Sequence, residues 1–259
     1  MKTDLELKNK KYWDRRAPGY SEVNKEELNG VQRENWKSFL VNEIDSHFGK
    51  DHSQINIIDI GAGPGFISRL LAEAGYNVSA FDFSEEMLNE ARQNSGEYAS
   101  SIDFIQGNAM ETGDFKEKYD VVFSRNLTWN LPDPKKAYET WNDVLNDNGL
   151  MLVFDANWYS YLVDDEKRVE FEADRKNVKD SQLEDYNVGD GFDEMEQIAK
   201  TRPMTNAIRP GWDVEFLSSI KSGHAEAVEN IGEILYSEKE KINYKSTPMF
   251  MVKYIKSGK

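Results

Sequence analysis

The sequence predicts an α/β fold built on a doubly wound, mostly parallel sheet of seven strands, with a helical insertion. Three observations predict it. Short apolar runs alternate with helix-period patterns over residues 55–155, and such alternation implies βαβ units with right-handed crossovers. The runs end in polar residues, among them Asp82, Ser124 and Asp155. One junction, Asp59-Ile60-Gly61-Ala62-Gly63-Pro64-Gly65-Phe66, joins a strand to a helix through three alternating glycines.

Residues 1–50 read as a helical preamble. The stretch 11–20 is dense in aromatics and arginine, and Pro18-Gly19 is expected to break it. Val31, Trp36, Phe39, Leu40, Ile44 and Phe48 then mark an amphipathic helix. The first strand, 55–60, is a nearly continuous apolar run, as a strand covered on both faces requires. The helix after the glycines carries Phe66, Ile67, Leu70, Leu71 and Ala74 at three- and four-residue spacing, with Gly75 as its stop.

A second strand, 76–82, ends in Asp82. Ser84 then caps a helix with Met87, Leu88 and Ala91 on one face. Strand three, 102–106, runs into Gly107-Asn108-Ala109, and strand four covers 119–124. Pro132 and Pro134 open a helix that Asn148-Gly149 should close, before strand five at 150–154. Residues 160–205 are acidic and helical in composition, with breakers at Gly189, Gly191 and Pro203. A helix at 211–220 and strands at 224–231 and 248–254 complete the chain. The expected division is a helical lid (1–50), a core (51–157 and 206–259) and a cap insertion (158–205).

The 259 residues are 39% hydrophobic and 12% aromatic, enough for a sizeable core. Cysteine is absent, which removes disulfides and thiol chemistry. The charged N-terminus shows no apolar leader, and no window approaches a membrane span, so a cytoplasmic location is the expectation. The net charge of −15 argues against nucleic acid as a partner. Residues 158–200 hold thirteen acids against six bases, about half of that net charge. No cluster has metal-ligand spacing.

Ligands of open α/β sheets sit beyond the carboxyl ends of the strands. The glycine turn lacks the lysine and hydroxyl of a phosphate-binding P-loop. Phe66 occupies the position where a dinucleotide fingerprint needs its third glycine, which disfavours NAD or FAD. S-adenosylmethionine is the third candidate.

Residues 55–155 resemble the class I S-adenosylmethionine-dependent methyltransferases, and within them the small-molecule "type 11" group. Residues 59–65 look like that family's first motif, and Asp82-Phe83-Ser84 with Met87-Leu88 like the motif after its second strand. Gly107-Asn108-Ala109 resembles its adenine motif, with Asn where the family more often has Asp.

The resemblance implies a Rossmann-like methyltransferase fold with S-adenosylmethionine as cofactor and S-adenosylhomocysteine as product. The cofactor residues it implies are Tyr20, Asp59, Gly61, Ala62, Gly63, Asp82, Phe83, Met87, Asn108, Ala109 and Arg125. Asp82 can accept from both ribose hydroxyls, and Asn108 from the adenine amino group. Tyr12, Trp13, Arg16 and Tyr20 resemble the element that folds over the cofactor in this group.

The acceptor is expected to be a small molecule, in a pocket formed by Trp13, Trp129, Asn130, Trp158 and Tyr159. The acidity of 158–200 disfavours anionic acceptors. Methyl transfer needs a base only when the acceptor must lose a proton. None of His47, His52 and His224 is placed for that role, and Asp155, Tyr159 or an acid of the insertion are the remaining candidates. A macromolecular acceptor and a non-catalytic S-adenosylmethionine-binding module are the alternatives. A monomer or homodimer, with no membrane partner, is expected.

Overall fold

The computed structural model describes residues 4–115, 118–188, 191–220 and 223–258; Gly189 lies outside them. Its centre is a seven-stranded sheet in the order β3-β2-β1-β4-β5-β7-β6. The strands are β1 (Asn56–Ile60), β2 (Asn77–Asp82), β3 (Ile102–Gln106), β4 (Tyr119–Arg125), β5 (Leu145–Asp155), β6 (Gly223–Val228) and β7 (Phe250–Lys256). Strands β1 to β5 pair in parallel, and β7 runs antiparallel between β5 and β6.

Alternation within the central strands fills two layers. Ile57 of β1 faces a core with Val78, Val121 and Leu152, while Ile58 and Ile60 face the other with Val122, Met151 and Val153. Helices α2 (Val31–Phe48) and α3 (Phe66–Glu73) cover the first face, and α5 (Pro134–Val144) and α8 (Gly211–Ser219) the second. Trp36 of α2 is fully buried against the rings of Phe123 and Phe154, 6.5 and 4.9 Å between centroids. Such edge-on contacts add to the area that each ring removes from water. Ser84 caps α4 (Glu85–Ser95) through the Met87 N–H, as its position in the sequence suggests.

Two expectations fail. Pro18-Gly19 does not end a helix: α1 runs unbroken over Asp4–Asn29. Proline removes one backbone donor, while the buried positions Ala17, Ser21, Asn24 and Leu28 hold the helix down on both sides. At the other junction, α5 stops at Val144 and β5 already starts at Leu145. Asn148, at φ +61°, marks an irregularity inside that strand and does not close the helix.

The cap after β5 contains α6 (Asp165–Asp180) and α7 (Phe192–Ala199), and two short helices, α9 (Gly232–Leu235) and α10 (Glu238–Asn243), follow β6. Tyr12, Trp129, Met195, Ile198, Ala199 and Met204 form a third apolar cluster, in which α1, the loop after β4 and the cap meet.

Candidate active site

The site grows from the switch point of the sheet, where β1 lies between β2 and β4. The chain leaves β1 through Gly61 (φ +75°) and Gly63 (φ +53°), left-handed conformations that glycine adopts without strain. The N–H groups of Gly61 and Ala62 donate to the Phe81 carbonyl at 2.8 and 3.1 Å, which pulls the turn onto the end of β2. A side chain at Gly61 would strike Leu127 at 2.9 Å, whereas one at Gly63 would meet open space.

Asp82, at the end of β2, accepts from Gly63 N–H at 2.9 Å and from Ser84 N–H at 2.8 Å, one bond to each oxygen. The carboxylate is thereby fixed, with lone pairs left on both oxygens. Burial raises its pKa, and the backbone donors offset part of that rise. Asp59 is 2% exposed and accepts from the Ser68 hydroxyl at 2.6 Å. Burial pushes its carboxyl up to about 7; Ser68 works against the rise and Asp82 adds to it.

Helix α1 forms the roof. Asn24 accepts from Phe66 N–H at 3.2 Å, satisfying a donor at the start of α3, and Asp14 accepts from the Ser84 hydroxyl at 2.6 Å. Glu27 pairs with Arg125 at 2.5 Å, and the guanidinium also lies over Trp36 and Phe66. Burial raises the pKa of Glu27 despite this cation.

Beneath the roof is a cavity of about 630 Å³. All the cofactor and pocket residues read from the sequence border it: Tyr20, Asp59, Gly61, Ala62, Gly63, Asp82, Phe83, Met87, Asn108, Ala109 and Arg125, with Trp13, Trp129, Asn130, Trp158 and Tyr159. Asn108 holds its own turn, since its side-chain oxygen accepts from Met110 N–H at 3.0 Å. Trp129 packs on Tyr159 at 4.9 Å and Trp158 on Tyr244 at 5.2 Å, so aromatic rings wall the half away from Asp82.

Asp155 is not among the lining residues, which corrects its candidacy as a base. It is fully buried and accepts from Thr128 Oγ1, Trp129 N–H, Ala156 N–H and Trp158 Nε1, and it pairs with Arg209 at 2.8 Å. Its carboxylate braces the pocket wall from behind. Tyr159 does border the cavity, but burial raises its hydroxyl well above the usual tyrosine range, so it keeps its proton and serves as wall and donor. His47 bonds the Asn148 carbonyl, and His52 bonds Asp45 and the Ala74 carbonyl. No histidine borders the cavity, and no described group of residues could hold a metal ion.

Several lining residues have no sequence signal for a site. Asn24 and Glu27 lie on the far half of α1, Arg202 follows α7, and Tyr236 and Tyr244 come from the segment after β6. Only the packing of distant segments brings them to the rim.

The strand order, the glycine turn and the carboxylate at the end of β2 are those of the class I methyltransferase fold. Residues 58–153 match the family model described as "Methyltransferase domain". Among similar proteins, the ubiquinone biosynthesis O-methyltransferase of Actinobacillus pleuropneumoniae serotype 7 (strain AP76) is 27% identical over 124 residues, 46% of this chain and 51% of that protein. The enzyme of the same name from Erwinia tasmaniensis is 31% identical over 103 residues, 39% and 40% of the two chains. The chain thus spans about half the length of the curated relatives it matches.

Solved structures of like fold include a plantazolicin methyltransferase in complex with SAH (TM-score 0.60, 14% identity, 97% of this chain and 96% of that one). The magnesium protoporphyrin IX methyltransferase of Synechocystis PCC 6803 with bound SAH is another (TM-score 0.54, 14% identity, 88% and 84%). No described helix is long and apolar enough to cross a membrane.

Proposed function

We propose that this chain transfers the methyl group of S-adenosylmethionine to a small-molecule acceptor held under the cap. The observation that carries this reading is the continuity of the cavity, from Gly63 and Asp82 at one end to Trp129, Trp158 and Tyr159 at the other. One end fits an adenosyl ligand: Asp82 offers lone pairs to two ribose hydroxyls, Phe83 and Met87 offer apolar contact to adenine, and Asn108 and Ala109 border the same end. The open space at Gly63 lets the backbone approach the ligand closely. Tyr20, Arg125, Asp59, Gly61 and Ala62 would surround the amino-acid part.

The cofactor supplies an already activated methyl group. The residues of this chain therefore hold donor and acceptor in line and keep water out. Trp13 and the ring pair Trp129–Tyr159, with Trp158 and Asn130, would position the acceptor. A base is needed only where the acceptor atom must lose a proton.

A small acceptor is supported by the roofed cavity, by the net charge of −15 and by the names of the relatives. Calorimetry with S-adenosylmethionine and with NADH, followed by detection of S-adenosylhomocysteine across an acceptor panel, tests the reading. Micromolar binding of S-adenosylmethionine and turnover with a small acceptor are expected. Binding of NADH alone, or turnover only with RNA or protein, would overturn it.

A further inference from the structure

Arg202 is the most unusual charged residue bordering the cavity. The residue is 1% exposed. Nε donates to the Asn130 amide oxygen at 3.3 Å, while both terminal nitrogens, Nη1 and Nη2, are buried without a hydrogen-bond partner. Almost every buried polar group in a folded protein is paired, so an orphaned guanidinium fork needs a reason. Arg209 shows what pairing looks like in this fold: it is equally buried, but Asp155, Asp213 and Thr128 all accept from it.

The setting of Arg202 is also preorganised. Its backbone N–H donates to the Ala199 carbonyl at 2.9 Å just after α7, and Met204 beyond it sits in the apolar cap cluster. Asn130, which holds Nε, is itself held by Asn9 of α1 at 3.3 Å. Burial lowers the pKa of Arg202, and Glu6, which borders the same cavity, is the one opposing charge that acts on it.

We infer that Arg202 anchors a carboxylate of the methyl acceptor, and that the acceptor is an aromatic carboxylic acid. The planar fork matches a carboxylate through two parallel N–H···O bonds. The adjoining wall of Trp129 and Tyr159 suits the apolar remainder of such a molecule. This reverses, at one residue, the expectation drawn from the acidity of 158–200. The exposed acids of that segment act through water, whereas a buried guanidinium acts at short range on whatever touches it.

The inference rests on the acceptor half of the cavity assigned above. Its test uses the full chain saturated with S-adenosylhomocysteine and titrated with benzoate, benzamide and methyl benzoate. Benzoate should bind at least about tenfold more tightly than either neutral analogue, because a site built for paired bonds rejects a ligand that lacks them. Arg202→Met should erase that preference and leave S-adenosylhomocysteine affinity within about threefold. Arg202→Lys, which keeps the charge without the fork, should retain part of it, and Glu6→Gln should strengthen benzoate binding.

Equal binding of the three probes, no binding of benzoate, or a preference that survives in Arg202→Met and Arg202→Lys alike overturns the inference. If wild-type chain fails to bind S-adenosylhomocysteine yet prefers benzoate through Arg202, the anchor stands and the methyltransferase reading falls.

Discussion

Asp82 and Asp59 lie side by side at the strand ends and do different work. Asp82 is pinned by two backbone donors and borders the cavity, so its alanine variant should bind S-adenosylmethionine more weakly by about 1–3 kcal/mol, the scale for unpaired buried partners. Calorimetry on a variant with an unchanged circular dichroism spectrum checks this; equal affinities would remove the ribose role.

Asp59 is a stability residue with a pH signature. Its carboxyl titrates near 7 when folded, against an ordinary value of 3.8. The folded state binds the extra proton between those values, so the Asp59 contribution to stability is fully present below about pH 4, falls as pH rises, and is lost above about 7. Asp59→Asn should flatten that slope, leaving the smaller parts that buried Asp82 and Glu27 contribute, and gain on the order of 2–4 kcal/mol over wild type at pH 8. Urea midpoints measured from pH 4 to 8 decide the matter. At Asp155, already tied to Arg209, the expectation is opposite: Asp155→Ala leaves the buried Arg209 with Asp213 alone and strips the acceptor from Thr128, Trp129 and Trp158, and should cost about 3–5 kcal/mol.

At the scale of elements, α1 is the piece whose sequence misleads most. Pro18 and Gly19 argue against a continuous helix, and only the packing of Tyr12, Ala17 and Leu28 explains why one forms. Pro18→Ala should therefore raise stability by about 1–3 kcal/mol, as a helix-interior donor is restored and a ring clash removed. A lower urea midpoint for the variant would show that the proline is accommodated at no cost.

The strands and their polar ends were legible because a doubly covered sheet writes itself as local apolar runs. Gly61, Gly63 and Asp82 are legible because they stand at strand ends, in short stretches that resemble the methyltransferase motifs. Asn24, Arg202 and Tyr244 were not, since their place depends on how distant helices close over the rim. Asp155 is ambiguous for the same reason: a strand-end acid looks alike in sequence whether it faces a cavity or an arginine behind it.

For the molecule as a whole, the charge of −15 sits on a fold with an acidic cap and a roof held partly by exposed ion pairs, such as Arg15–Glu194 at 2.5 Å. Exposed pairs contribute little and are screened by salt, whereas self-repulsion of a large net charge is relieved by it. Raising NaCl from 10 to about 300 mM should therefore increase the thermal midpoint by a few degrees. A fall would mean that individual pairs outweigh the net field.

The roof also has a history within each synthesis of the chain. Helix α1 is translated before any strand of the sheet, yet Ser21 bonds Asn94, Glu27 bonds Arg125, and Tyr12 lies against Gly191. None of those partners exists until well over sixty further residues have been made. While the ribosome works through them, the aromatic face of Tyr12, Trp13 and Tyr20 has nothing to dock on. A nascent chain arrested near residue 60 should hence be bound by holdase chaperones, and one arrested after residue 200 released from them.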